Sequence, residues 1–90
     1  MIEQQVEIIN KLGLHARAAA KFVGLASRYI SQIKVIKGSQ EVNGKSIMGV
    51  MMLAASKGTL LTLQIEGDDE QEMSDSLLAL INNFFDEPQE

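Results

Sequence analysis

The sequence predicts an α+β fold in which three helices cover one face of a four-stranded sheet. Two observations predict it. Three short segments alternate apolar and polar residues, as half-buried strands do, and a fourth can pair back as a hairpin; two longer segments repeat apolar residues at helical spacing, with a short capped helix between them. The segments follow the order strand, helix, strand, strand, helix, strand, helix, with no internal repeat, low-complexity segment or linker. Because one face of such a sheet must be covered, helices packed on one side are the expected solution.

The first half of the chain carries three of the predicted strands and one helix. Residues 2–9 alternate and form the first strand. Residues 16–27 form the first helix, and the apolar residues at helical spacing are Ala19, Phe22, Val23 and Ala26. Ile33 and Val35 alternate with Lys34, and a Gly38-Ser39 turn lets residues 40–43 pair back as a hairpin.

The second half adds a strand and two helices. Ser46 can cap a short helix from Ile47 to about Leu53, and residues 60–65 alternate as the fourth strand. Acidic residues 68–70 suit the N-terminus of a long third helix, whose apolar stripe is Met73, Leu77, Leu80, Ile81 and Phe84. We expect one domain over residues 1–85 and a disordered acidic tail over residues 86–90.

Composition narrows the class of function. The 90 residues include no cysteine, which argues against disulfide and thiolate-metal frameworks, and no apolar run that would span a bilayer or act as a leader. Eight basic and 12 acidic side chains give a net charge of −4, so binding to a nucleic-acid backbone is not expected, and the four aromatic residues are spaced like core residues. We expect a cytoplasmic protein that binds no membrane.

His15 is the candidate functional residue. It is the only histidine, and it lies between a glycine-containing loop and the first turn of the first helix. The amides of Ala16 and Arg17 are unpaired donors there, and the helix dipole favours an anion while disfavouring a protonated imidazole. Arg17 can add charge-assisted hydrogen bonds to a phosphate. The pattern therefore fits a phosphoryl acceptor, while a helix-capping or idle surface histidine and a solvated Arg17 stay open as alternatives; no metal site is expected, because no carboxylates are spaced with His15.

Gly44-Lys45-Ser46 looks like the end of a nucleotide-binding loop, but the preceding glycine, Gly38, is one residue too far away. We reject a nucleotide site and interpret Ser46 first as a helix N-cap. The short helix after it is apolar on nearly every side, more than one core face can absorb, so part of it should be exposed; complete burial remains the alternative.

Gly13-Leu14-His15-Ala16-Arg17, shortly after an opening strand, closely resembles the active-centre sequence of the HPr family, the histidine-containing phosphocarriers of the bacterial phosphotransferase system. Lys45-Ser46-Ile47-Met48-Gly49-Val50-Met51 is similar to that family's second characteristic segment. The element order also agrees with the family's open-faced β-sandwich, a four-stranded antiparallel sheet covered on one face by three helices.

The resemblance implies that His15 accepts, on Nδ1, a phosphoryl group from phosphorylated enzyme I, itself charged by phosphoenolpyruvate, and that Arg17 assists at the phosphate. It implies enzyme IIA-type acceptors, an HPr kinase/phosphorylase acting on Ser46, and a transcriptional regulator as partners. It implies a monomer without a cofactor that carries the group and does not catalyse the transfer. The partner-docking residues implied are Leu14, Ala20, Ile47, Met48 and Met51.

One position departs from the family, which usually has proline where this chain has Ala18. Proline would fix the backbone angle and remove an amide in the first helical turn, whereas alanine is a good helix former, so we expect the nucleophile to be retained. The competing function is a regulatory module in which phosphorylation of Ser46 or His15 only controls binding to a partner. A small RNA binder is rejected on charge and aromatic content.

Overall fold

The computed structural model describes residues 1–88. The elements in chain order are β1 (Ile2–Glu7), α1 (Ala16–Ala26), β2 (Gln32–Lys37), β3 (Gln40–Asn43), α2 (Ile47–Met52), β4 (Leu60–Glu66) and α3 (Glu70–Asn82), followed by a 3₁₀ turn, Phe84–Asp86. This is the predicted order, and the predicted fold class is confirmed. No helix within residues 1–88 is both long and apolar enough to cross a membrane.

The strands form one antiparallel sheet in the order β1-β4-β2-β3. The alternation in β4 places Leu61, Leu63 and Ile65 on the buried face. Leu61 lies opposite Val6 of β1, and Leu63 lies opposite Val35 of β2, so these apolar side chains pair with one another on the buried face of the sheet.

The core lies between this sheet face and the helices. α1 contributes Ala19 and Phe22, and α3 contributes a buried stripe of Met73, Leu77 and Ile81. The opposite sheet face is polar; Gln64 of β4, for example, donates to the carboxylate of Glu3 on β1 at 2.8 Å. The helices therefore cover one face only.

Asp69, in the acidic segment at the start of α3, binds a neighbouring part of the chain. Asp69 is the N-cap residue, but its carboxylate makes no cap bond to its own helix. It accepts instead from the hydroxyl of Ser31 at 2.5 Å and from the amides of Ile30 and Ser31, each at 2.9 Å. These bonds, the Ser31 hydroxyl above all, lower the pKa of Asp69 and fasten the start of α3 to the segment before β2.

The end of the chain differs from its prediction. Phe84, Phe85 and Asp86 have left-handed φ angles of 58°, 53° and 60°, which turn the backbone back toward α1. Phe85, rather than Phe84, enters the core and is fully buried, and Lys21 donates to its carbonyl oxygen at 2.9 Å. Asp86 and Glu87, the first residues of the tail predicted to be disordered, follow this buried residue and accept hydrogen bonds from Asn83 and Asn10; residues 89–90 of that predicted tail lie outside the described residues.

Candidate functional site

The loop before α1 is fixed against the segment that follows α2. Gly13 has a φ of 69°, and a Cβ there would lie 2.5 Å from the carbonyl oxygen of Ala55. The next residue, Leu14, donates its amide to that same oxygen at 2.8 Å. Glycine therefore meets two requirements at once, a left-handed backbone and a close approach, and the position of His15 follows from both.

His15 is the N-cap of α1. Its backbone is extended (φ −72°, ψ 178°), and its carbonyl oxygen accepts the first helical bond from Ala19 at 2.8 Å. Nδ1 of its ring accepts from the amide of Arg17 at 3.3 Å. The ring is 28% exposed, so a partner can reach it. The capping role left open by the sequence is real, and it directs Nδ1 at the helix N-terminus.

The other ring nitrogen of His15 contacts the end of the chain. Nε2 lies against Oε2 of Glu87, whose side chain is only 10% exposed. The buried Asn10 donates through Nδ2 to Oε1 of Glu87 at 2.9 Å and to the carbonyl oxygen of Gly13 at 2.8 Å. Asn10 thus joins Glu87 to the loop that presents His15.

These partners assign the ring proton. Nδ1 faces an N–H donor and must therefore be the acceptor, whereas Nε2 faces a carboxylate and must be the donor. The neutral ring with its proton on Nε2 satisfies both contacts, and a nitrogen lone pair is left at Nδ1.

The phosphate-binding groups predicted from the sequence meet at this helix start. The amides of Ala16 and Arg17 belong to the first turn, which has no preceding helical carbonyls to bind. The Arg17 side chain is exposed and forms no ion pair within residues 1–88. Ala18 is completely buried in the same turn. The arrangement combines a nucleophilic nitrogen, aligned donors and an exposed cation, as a phosphoryl acceptor requires.

Sequence patterns did not reveal Asn10 and Glu87. Glu87 lies 72 residues from His15 and within the segment predicted to be disordered. The burial of Phe85 is what brings it back, and the sequence pattern offered Phe84 as the core residue instead. The only sequence signal for this contact is an apolar residue, Phe85, close to the acidic end of the chain.

Ser46 is the N-cap of α2, as predicted, and its Oγ accepts from the amide of Gly49 at 3.1 Å. The helix that follows is partly exposed, also as predicted. Val50 and Leu53 are buried, while the exposed fractions are 44% for Ile47, 75% for Met48, 41% for Met51 and 71% for Met52.

The two other predicted docking residues, Ala20 and Leu14, differ in their exposure. Ala20 is exposed on α1, which packs against α2. Leu14 is 6% exposed and belongs to the core, so its side chain offers a partner almost no surface. No group of three or more histidine and carboxylate side chains within residues 1–88 is arranged to hold a metal ion.

Comparison with known proteins identifies the family of the chain. Residues 2–83 match the family model for the PTS HPr component phosphorylation site. The chain belongs to the HPr phosphocarrier family. A phosphocarrier protein HPr of Pseudomonas aeruginosa is 61% identical over 84 residues, covering 92% of this chain and 93% of that protein.

Solved HPr structures show the same fold. HPr from Thermoanaerobacter tengcongensis superposes with a TM-score of 0.95 at 50% identity, covering 99% of this chain and 100% of that one. A structure titled as an HPr dimer from the same organism gives a TM-score of 0.78 at 52% identity, covering 97% and 100%. The resemblance of the chain to the HPr family is confirmed.

Proposed function

We propose that this HPr-family chain carries a phosphoryl group on Nδ1 of His15. Phosphorylated enzyme I, charged by phosphoenolpyruvate, is the donor, and enzyme IIA-type components of the phosphotransferase system are the acceptors. The observation that supports this most directly is the Arg17 amide 3.3 Å from Nδ1, because it places the nucleophilic atom at the anion-favouring end of α1.

The transfer uses groups already in place. The Nδ1 lone pair attacks phosphorus, a new N–P bond forms, and the bond from phosphorus to the donor breaks with its electron pair leaving on the donor. The Arg17 amide moves from Nδ1 to a phosphate oxygen, and the exposed guanidinium of Arg17 adds a charge-assisted bond. Positioning and electrostatics dominate phosphoryl transfer, so a carrier needs little more than this platform, and catalysis is left to the partners.

A second function is favoured by one observation, the position of Ser46 beside exposed apolar side chains. A phosphate on Ser46, added by an HPr kinase/phosphorylase, would place about two negative charges next to Ile47 and Met48. Docking of an acidic or apolar partner there would weaken, while an arginine-rich surface such as that of a transcriptional regulator would gain a ligand. The docking surface in this proposal comprises Ala20, Ile47, Met48 and Met51.

Following the family, we place the relay in the cytoplasm and take the active form as a monomer. Because a related HPr has been solved as a dimer, the oligomeric state of this chain needs its own measurement. Light scattering of the purified chain before and after phosphorylation decides it, and a phosphorylated species eluting only as a dimer would contradict the monomeric carrier.

Labelled phosphoenolpyruvate, enzyme I and magnesium test the main proposal. The chain should gain one acid-labile label, His15→Ala should gain none, and the label should pass to an added enzyme IIA. Ser46→Ala serves as the matched variant because it removes the other proposed phosphorylation site and leaves His15 in place. Absence of label on the parent chain, with enzyme I shown to be active on another HPr, would contradict the carrier function and favour a regulatory module acting through Ser46.

A further inference from the structure

The end of the described chain is held near His15 by a buried side chain and a hydrogen bond from α1, and a further hydrogen bond closes the turn itself. Phe85 is fully buried, Lys21 of α1 donates to its carbonyl oxygen at 2.9 Å, and Asn83 donates through Nδ2 to Asp86 at 2.7 Å. Three consecutive non-glycine residues, 84–86, adopt left-handed φ angles to make the turn. Such conformations are costly and persist only where surrounding structure enforces them, often at functional sites.

The contact at the end of this turn is chemically directed. Glu87 meets Nε2 of His15, on the side of the ring away from Nδ1, and Asn10 donates to its second carboxylate oxygen at 2.9 Å. The other charged residues on the loop, on the first half of α1 and in the turn are Lys11, Arg17, Lys21 and Asp86. Lys21 donates to the carbonyl oxygen of Phe85, and Asp86 accepts from Asn83. Of the two carboxylates at this end of the chain, Glu87 is therefore the one that contacts the ring.

We propose that Glu87 is a positioning residue for His15, which keeps the ring proton on Nε2 and so reserves Nδ1 for the phosphoryl group. The inference rests on the proposed carrier function and deepens it. A carboxylate accepts a hydrogen bond but cannot donate one, so it selects the Nε2–H tautomer. Carboxylates fix the tautomer and ring orientation of metal-bound histidines in the same way.

The same contact acts in both directions of transfer. When Nδ1 bonds to phosphorus and the donor bond breaks, the proton stays on Nε2, the ring becomes positively charged, and the carboxylate of Glu87 stabilises that charge. On discharge the N–P bond breaks with its electron pair returning to Nδ1. The leaving group is then neutral imidazole rather than an imidazolate anion, so the phosphoryl group departs readily.

The test compares Glu87→Gln, Glu87→Asp and the control Glu72→Gln, which removes an exposed carboxylate on α3. Nitrogen-15 NMR of the imidazole at pH 8 gives the ratio of Nε2–H to Nδ1–H tautomers. We expect Glu87→Gln to lower that ratio about fivefold, roughly the difference between a charge-assisted and a neutral hydrogen bond, because an amide can either donate or accept. Glu87→Asp should restore part of the preference, and Glu72→Gln should leave it unchanged.

The second measurement is the rate at which enzyme I-labelled protein loses its phosphoryl group to enzyme IIA and to water at pH 8. We expect both rates to fall severalfold in Glu87→Gln, with a melting temperature equal to that of the control. A tautomer ratio that is the same in Glu87→Gln and Glu72→Gln overturns the positioning role even if the parent carries label. A parent chain that takes no label overturns the carrier function instead, and the tautomer ratio still decides whether Glu87 orients the ring.

Discussion

Gly13 lies so close to the carbonyl oxygen of Ala55 that a Cβ on Gly13 would stand 2.5 Å from it. The amide of the next residue, Leu14, binds the same oxygen at 2.8 Å. The loop that presents His15 is therefore held to the segment after α2 by a contact that excludes any side chain at residue 13.

Gly13→Ala should destabilise the fold and disturb His15. Gly38→Ala is the matched control, since Gly38 also has a left-handed φ, 58°, but nothing lies within 4 Å of a Cβ there. We expect the control to lose about 1–2 kcal/mol in urea unfolding, the cost of the left-handed backbone alone. Gly13→Ala should lose clearly more, and should also slow labelling of His15. Equal losses would show that the loop moves away from Ala55 without cost.

Arg17→Ala should slow phosphoryl transfer without altering stability. Its exposed guanidinium is available to the phosphate, and one charge-assisted bond is worth about 1.5–3 kcal/mol, or about 10- to 100-fold in rate. Arg28→Ala removes another exposed cation, two residues beyond the other end of α1, and should leave the rate unchanged. Initial rates of labelling by enzyme I at low salt measure the effect. Similar losses in both variants would indicate a general dependence on net charge.

Phe85→Ala should cost about 3–5 kcal/mol of unfolding free energy, because it empties a fully buried site. Phe84→Ala changes the preceding residue, which is only partly buried and has the same left-handed backbone, and should cost less than half as much. Urea unfolding followed by circular dichroism gives both values. Equal costs would mean that the turn, and not the burial of Phe85, holds the end of the chain.

Asp69 should give the fold an acid-sensitive contribution. Hydrogen bonds, first from the Ser31 hydroxyl and then from the Ile30 and Ser31 amides, lower its pKa in the folded state. A lowered folded pKa contributes stability above the unfolded value, and that contribution is lost as the pH falls through the folded value. Asp69→Asn should therefore be less stable than the parent at neutral pH, with the difference shrinking below pH 4. A difference independent of pH between 7 and 3 would contradict this origin.

Ser46→Ala should destabilise the protein by about 1 kcal/mol through loss of the α2 cap, whereas Ser46→Asp should retain the cap and most of the stability. Labelling by enzyme I separates capping from regulation. If charge at residue 46 weakens docking, Ser46→Asp should be labelled more slowly than Ser46→Ala despite its greater stability. Faster labelling of the aspartate variant would argue against the proposed regulation.

Much of the fold follows from local patterns. The alternation of Leu61, Leu63 and Ile65 and the stripe of Met73, Leu77 and Ile81 predict elements whose buried faces the structure confirms. The positions of His15, Arg17 and Ser46 at helix starts also follow from local patterns, because a helix N-terminus is defined by a few neighbouring residues.

Contacts between distant parts of the chain could not be found this way. The bonds of Asp69 to Ile30 and Ser31 join residues 38 or 39 apart, and Glu87 meets His15 across 72. Leu14 belongs to a motif that suggested docking, but packing against the core decided its burial. Charged and small polar residues near the chain end resemble a solvated tail unless the burial of a single neighbour, here Phe85, is known.

The position of β4 in the sheet governs the order in which the protein can fold. β4 lies between β1 and β2 and is antiparallel to both, so two of the sheet's three strand pairings wait for residues 60–66. During synthesis, only the hairpin of β2 and β3 can close early, because its strands are neighbours in sequence. β1, the first strand made, has no sheet partner until most of the chain has left the ribosome, and its apolar residues stay accessible to chaperones throughout that interval.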